Sequence, residues 1–316
     1  MSPQETILAL TEFVRDTVRP HLGLWHSRAI SGTANSGDAT FAIDDVAESA
    51  IISFIEQHKL NIALYSEDKG LIEFGLDPPA VLIIDPIDGT RPAIAGFESC
   101  VVSVAWANYS SRTIMADVTH ACIAEIKGNS VFQATRGCGV KWTIDGVQQA
   151  LRILNVSDIT LAPLTFETVA RPFEIVATVL SEIVNMSSMK GGVFLFNSTA
   201  FSLTRLLTGQ LAAVLDVGNR VMRDHPELRA KYVHLGFGTP IGLFTYDIAA
   251  AVLIAQEAGV YVTDAFGNSF DNVALLDTGE HNIMSIVAAS TEELHKNLIA
   301  SINYGSSKIG KQNELD

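Results

Sequence analysis

Near the start of the chain, apolar residues recur at helical spacing. Ile7, Leu8, Leu10, Phe13, Val14 and Val18 form one stripe, with Glu5, Glu12 and Asp16 set among them. Ser2-Pro3-Gln4-Glu5 is a helix start, with an N-cap serine, proline in the first turn and glutamate three residues on, and Pro20 is a stop. A second helix is expected from Asp44, with Val46, Ala50, Ile51, Phe54 and Ile55 on one side. Between the two, SGTANSGDAT (31–40) is small and polar and reads as a mobile loop. The pattern then shortens to strands: NIALY (61–65), VLII (81–84), CVVSVAW (100–106), TIMADV (113–118), ACIAEI (121–126) and SVFQA (130–134). Asn108-Tyr109-Ser110-Ser111, Gly128-Asn129 and Arg136-Gly137-Cys138-Gly139 supply turns between them.

After Pro163 helix and strand alternate. Pro172–Val184 and Thr199–Thr208 read as helices, the second ended by Gly209, and Leu211–Val217 reads as a strand. Residues 218–245 look charged and irregular, and Tyr246–Ala258 is a helix with Gly259 past its end. The expected fold is α+β, layered helices and sheets in two lobes, residues 1–150 and 151–316.

Composition narrows the function. A formal charge of −14 argues against a nucleic-acid partner or a broad acidic-membrane surface. The three cysteines, Cys100, Cys122 and Cys138, lack CxxC spacing, which disfavours a zinc knot or disulfide framework and points to a reducing cytoplasm. The start lacks a basic region before its apolar positions, and no stretch reaches the roughly 18 apolar residues of a membrane span. A soluble protein without a membrane partner is expected.

The chemistry concentrates where VLII runs into Asp85-Pro86-Ile87-Asp88-Gly89-Thr90. Two carboxylates flanking a tight turn need a positive partner to stay ionised together. Mg²⁺ suits such hard oxygen ligands, and the Ile87 carbonyl adds to the set. Gly89-Thr90-Arg91-Pro92 reads as a helix start whose free N–H groups suit phosphate. DPxDG alone is also an ordinary turn. Ser66-Glu67-Asp68 ends another strand, where a solvated turn is the plain alternative, and Asp44 and Asp247 open helices, where capping is the plain role.

These segments together resemble the inositol monophosphatase family, in the Mg²⁺-dependent, lithium-sensitive-type superfamily that includes fructose-1,6-bisphosphatases and 3′-phosphoadenosine 5′-phosphate phosphatases. Asp85–Thr90 matches its DP(I/L)DGT signature, Ser66-Glu67-Asp68 is similar to its Gly-Glu-Glu, and Asp44 falls on its helix-start aspartate. Tyr246-Asp247-Ile248-Ala249-Ala250, Gln256-Glu257-Ala258-Gly259 and Val262-Thr263-Asp264 follow its WDxAAG, EAGG and xTD in order. Arg136-Gly137-Cys138-Gly139 and Ile286-Val287-Ala288-Ala289-Ser290 are further landmarks.

The resemblance implies a layered α/β/α/β/α phosphatase fold and hydrolysis of a small sugar or polyol phosphate with two or three Mg²⁺. It implies that Glu67, Asp85 and the Ile87 carbonyl hold one metal, and that Asp85, Asp88 and Asp247 hold a second. Asp44, Glu67 and Thr90 become the catalytic residues, Gly89 and Thr90 the phosphate cradle. Arg91, the strip Ser198-Thr199-Ala200, and Asp216 are the candidate substrate residues. A homodimer is expected by family analogy. The chain departs from the pattern at Arg91-Pro92-Ala93, at the shorter acid Asp68, and in 31–40, which lacks the family's lysine. An insertion after Asp216 carries Arg220, Arg223, Arg229 and Lys231, suited either to a second phosphate or to an ordinary surface. Fructose-1,6-bisphosphatase, 3′-phosphoadenosine 5′-phosphate phosphatase and a metal-binding regulatory protein of the same fold remain alternatives.

Overall fold

The computed structural model describes residues 1–34 and 36–309. Helix α1 (Pro3–Val18) starts as its sequence predicts: the Ser2 hydroxyl accepts from Glu5 N, and the Glu5 carboxylate accepts from Ser2 N at 2.8 Å. Segment 31–40, expected as a loop, instead contributes to a hairpin of β1 (Ile30–Thr33) and β2 (Ala39–Phe41). Asn35 lies outside the described residues. Helix α2 (Ala42–Gln57) buries Ile43, Ala47, Ile51, Phe54 and Ile55.

An eight-stranded sheet follows. It comprises β3 (Ile62–Ser66), β4 (Gly70–Phe74), β5 (Ala80–Asp88), β6 (Val101–Asn108), β7 (Val118–Glu125), β8 (Ser130–Thr135), β9 (Val140–Ile144) and β10 (Val147–Gln149). Its order is β10-β9-β8-β7-β6-β5-β3-β4, antiparallel except for the β3–β5 pair. Between β5 and β6 lies the short helix α3 (Thr90–Ala95). TIMADV (113–118), expected as a strand, becomes a 3₁₀ turn at Met115–Asp117, where the Asp117 carboxylate accepts from Ile114 N at 2.9 Å. The hairpin β9–β10 was hidden in Asp145-Gly146, whose positive φ values of 50° and 74° suit a tight turn.

The second half gives β11 (Leu164–Phe166), α4 (Phe173–Ser187), β12 (Val193–Phe194), α5 (Thr199–Thr208) and β13 (Ala213–Asp216). The region expected to be irregular, 218–245, contains α6 (Gly218–Asp224) and α7 (Arg229–Leu235). After it come α8 (Thr245–Glu257), β14 (Tyr261–Thr263), β15 (Ile286–Ala289) and α9 (Glu292–Ser306). The second sheet is ordered β12-β11-β13-β15-β14.

Strand alternation explains the layers. Leu64, Leu82, Ile84, Val102 and Val104 face α1 and α2, while Ala63, Tyr65, Val81, Ile83 and Ala105 pack with residues of α5 and α8. That middle layer also meets Val214, Ile286 and Ala288 of the second sheet, whose other face (Leu215, Val287, Ala289) packs on α4 and α9. The result is α/β/α/β/α. Helix α8 is apolar all round, with ten residues from Thr245 to Ala255 buried, because sheets cover it on two sides. Among the described residues no helix is long and apolar enough to cross a membrane.

Candidate active site

Strand β5 does not stop at the first aspartate. It runs through Asp85-Pro86-Ile87-Asp88, and its pairing with β6 slips between Asp85 and Asp88, a bulge that re-aims both acids. The Asp85 carboxylate closes the bulge by accepting from Ile87 N at 3.0 Å. Gly89 then turns the chain at φ 92°, and a Cβ there would sit 2.4 Å from the Ser99 carbonyl oxygen, so no other residue fits without movement.

Two helix starts aim further acids at this point by one device. Asp44 and Asp247 each occupy the third position of their helix and accept from the preceding backbone: Phe41 N at 2.8 Å and Phe244 N at 2.6 Å. The capping role expected of both is therefore present, and it uses one oxygen of each. The second oxygen of Asp44 accepts from the Thr90 hydroxyl at 3.2 Å, and the Ile87 carbonyl lies 3.1 Å from the same hydroxyl. Glu67, at the end of β3, is approached by the Ser36 hydroxyl at 3.4 Å.

Glu67, Asp85, Ile87, Asp88, Gly89, Thr90, Arg91, Thr199 and Asp247 all line one cavity of about 90 Å³. Among the described residues, no three acidic, histidine or cysteine side chains close into a ready-made metal cage. Burial pushes Glu67, Asp85 and Asp247 well above the usual carboxylate range, and neighbouring charges (Asp247 for Glu67, Asp88 for the other two) push them further. Burial also lifts Asp88 to about 6 and Asp44 to about 7, against the pull of hydrogen bonds from Ser198 and from Phe41 N respectively. Such a set is stabilised in its ionised form by a cation. The donors fit Mg²⁺: all are oxygens, and one oxygen each of Glu67, Asp85, Asp88 and Asp247 has no hydrogen-bond donor among the described residues.

The substrate candidates divide. Thr199 lines the cavity, whereas Ser198 and Ala200 hold Asp88 from behind: its Oδ2 accepts from Ser198 Oγ at 2.8 Å and from Ala200 N. Arg91 forms a two-point ion pair with Asp38 at 2.7 and 3.1 Å, which ties α3 to the β1–β2 hairpin. That pair also borders a wider cleft of about 540 Å³, shared through Val169 and Ile241. Asp216 does not line the cavity; it is buried and paired with Arg171. The basic residues of the insertion are spent on partners away from the cavity. Arg220 pairs with Asp224, Arg229 with Glu280 at 2.5 Å and Lys231 with Glu174 at 3.0 Å, while Arg223 lies over Phe266. What the insertion does bring to the cavity is Ile241-Gly242-Leu243.

Asp38, Glu167 and Arg171 line the cavity without having been singled out in the sequence. Glu167 carried the same signal as the others, an acid directly after a buried strand. Arg171 offered none.

A family model described as the inositol monophosphatase family matches residues 7–305. Nus factor SuhB of Vibrio cholerae is 31% identical over 234 residues, covering 74% of each chain. A fructose-1,6-bisphosphatase/inositol-1-monophosphatase of Methanothermobacter thermautotrophicus is 24% identical, covering 93% of this chain and 94% of its own. Among solved structures, the IMPase of Thermotoga maritima superposes with a TM-score of 0.68 at 17% identity, covering 98% of this chain and all of that one (100%). With nearly the whole chain matched and the five-layer fold shared, this protein belongs to the inositol monophosphatase family.

Proposed function

We propose that the chain is a Mg²⁺-dependent phosphomonoesterase that hydrolyses a small sugar or polyol phosphate with water as nucleophile. The observation that carries this reading is the convergence of Glu67, Asp85, Asp88 and Asp247 on one cavity beside Gly89-Thr90. Glu67, Asp85 and the Ile87 carbonyl would hold one Mg²⁺; Asp85, Asp88 and Asp247 would hold a second. Bound Mg²⁺ supplies charge neutralisation for the phosphoryl group and lowers the pKa of water. The Thr90 hydroxyl, poised between Asp44 and the Ile87 carbonyl, orients the attacking water and passes its proton toward Asp44. The backbone N–H groups of Gly89 and Thr90 receive phosphate oxygens. Ser198 and Ala200 N fix Asp88, so the acid keeps one orientation during turnover. No cysteine or histidine lines the cavity among the described residues, and the route through water needs no covalent phosphoenzyme.

A regulatory protein retaining the fold is the second reading, favoured by the likeness to a Nus factor. Phosphate release from inositol 1-phosphate, fructose 1,6-bisphosphate and 3′-phosphoadenosine 5′-phosphate, with and without Mg²⁺, separates the readings. Mg²⁺-dependent release, fastest on inositol 1-phosphate, supports the proposal; release from none of the three favours the regulatory reading. We further propose that the protein is cytoplasmic and forms a homodimer, the second of which light scattering tests.

A further inference from the structure

The wall of the cavity carries a carboxylate that the proposed steps leave unused. Glu167 follows β11 directly, and its Oε1 accepts from Thr168 N at 2.8 Å and Val169 N at 2.9 Å. Both bonds fall on one oxygen, so the carboxylate is held in place while Oε2 has no donor among the described residues. The side chain lines the cavity, close enough to Asp88 and Arg91 for its charge to act on both.

Asp216 is the opposite case. Its Oδ1 accepts from Arg171 Nε at 3.3 Å and Gly218 N at 2.8 Å, and its Oδ2 accepts from Arg171 Nη2. It is buried and absent from the cavity lining, so neither oxygen is open to a ligand. An oriented carboxylate with one open oxygen is what binds an alcohol O–H, and it rejects an analogue that lacks the hydroxyl. A cation ligand is a poorer role for Glu167, because the guanidinium groups of Arg91 and Arg171 share its surroundings and repel a second positive charge.

We propose that Glu167, and not Asp216, recognises a hydroxyl on the alcohol portion of the substrate, which makes the cavity selective for polyol phosphates over phosphates of plain alcohols. This rests on the phosphomonoesterase reading above. The test compares kcat/KM for inositol 1-phosphate and cyclohexyl phosphate, esters that differ only in ring hydroxyls, in wild type, Glu167→Gln and Asp216→Asn. Glutamine keeps a carbonyl for the two backbone N–H groups and removes the charged acceptor. The expected result is a wild-type preference for inositol 1-phosphate that falls about tenfold or more in Glu167→Gln. The fall should appear mainly in KM, with the Mg²⁺ concentration for half-activation unchanged. An unaltered preference in folded Glu167→Gln, a loss of preference in Asp216→Asn alone, or a raised Mg²⁺ requirement in Glu167→Gln each overturns the proposal. Equal wild-type rates on the two esters overturn it while leaving the phosphomonoesterase reading standing; no Mg²⁺-dependent turnover of either ester overturns both.

Discussion

Replacing Asp216 with asparagine neutralises one partner of a buried ion pair without changing its volume. The Arg171 and Asp216 side chains are 4% and 1% exposed, so water cannot take over the guanidinium when the carboxylate is gone. Removing one partner of such a pair costs about 3–5 kcal/mol, and an isosteric change adds no cavity. The lower end applies here, because Glu167 lies close enough to Arg171 for their charges to interact and Arg171 Nη1 keeps its bond to the Val169 carbonyl at 2.6 Å. A loss of about 3 kcal/mol corresponds to a fall in Tm of roughly 4–5 °C for a chain of this size. Thermal and urea unfolding of Asp216→Asn against wild type measure it. A shift below about 1 kcal/mol, accompanied by a large rise in KM, would refute the reasoning, because it would mean that Asp216 faces substrate instead of Arg171.

Three further outcomes follow from the site. Asp88→Asn is expected to lower Mg²⁺-dependent turnover by at least about a hundredfold while circular dichroism stays native, since asparagine is isosteric and keeps a carbonyl for Ser198 Oγ and Ala200 N. Gly89→Ala forces a side chain into φ 92° and within 2.4 Å of the Ser99 carbonyl oxygen, and should destabilise the protein by more than about 1 kcal/mol with loss of activity, read by melting and phosphate release. In the metal-free protein, burial raises Asp88 to about 6 and Asp44 to about 7, above the roughly 4 of the unfolded chain, so the native state binds more protons than the unfolded one across that window. The stability that these groups contribute in EDTA should therefore be fully present at about pH 4 and be lost as pH rises through 7, and Mg²⁺ should recover it at pH 8; a melting temperature that rises with pH from 5 to 8 in EDTA would contradict this.

The layers and the site were unequally legible in the sequence. Strands β3, β5 and β6 were visible as short, nearly unbroken apolar runs because both of their faces are buried, and α1 was visible as a stripe at helical spacing because only one of its faces is. The Asp85–Thr90 turn stood out because a buried strand rarely ends in two acids. The β5 bulge did not, since Pro86 suggested that the strand had already ended. Asp216 shows the limit most directly: its sequence position suggests a substrate ligand, but Arg171, 45 residues away, occupies it. A pairing between distant positions leaves no local trace in one chain. Likewise, the charges of the insertion suggested anion binding, but Glu174 and Glu280, which neutralise Lys231 and Arg229, lie on other elements.

The central claim is that the acids around β5 and α8 hold Mg²⁺ for phosphate ester hydrolysis, and phosphate release from inositol 1-phosphate across a Mg²⁺ titration tests it most directly. The account predicts no release in EDTA, saturable activation by Mg²⁺, and loss of that activation in Asp88→Asn. Release that persists in EDTA, or Mg²⁺ activation that survives in Asp88→Asn, would contradict it.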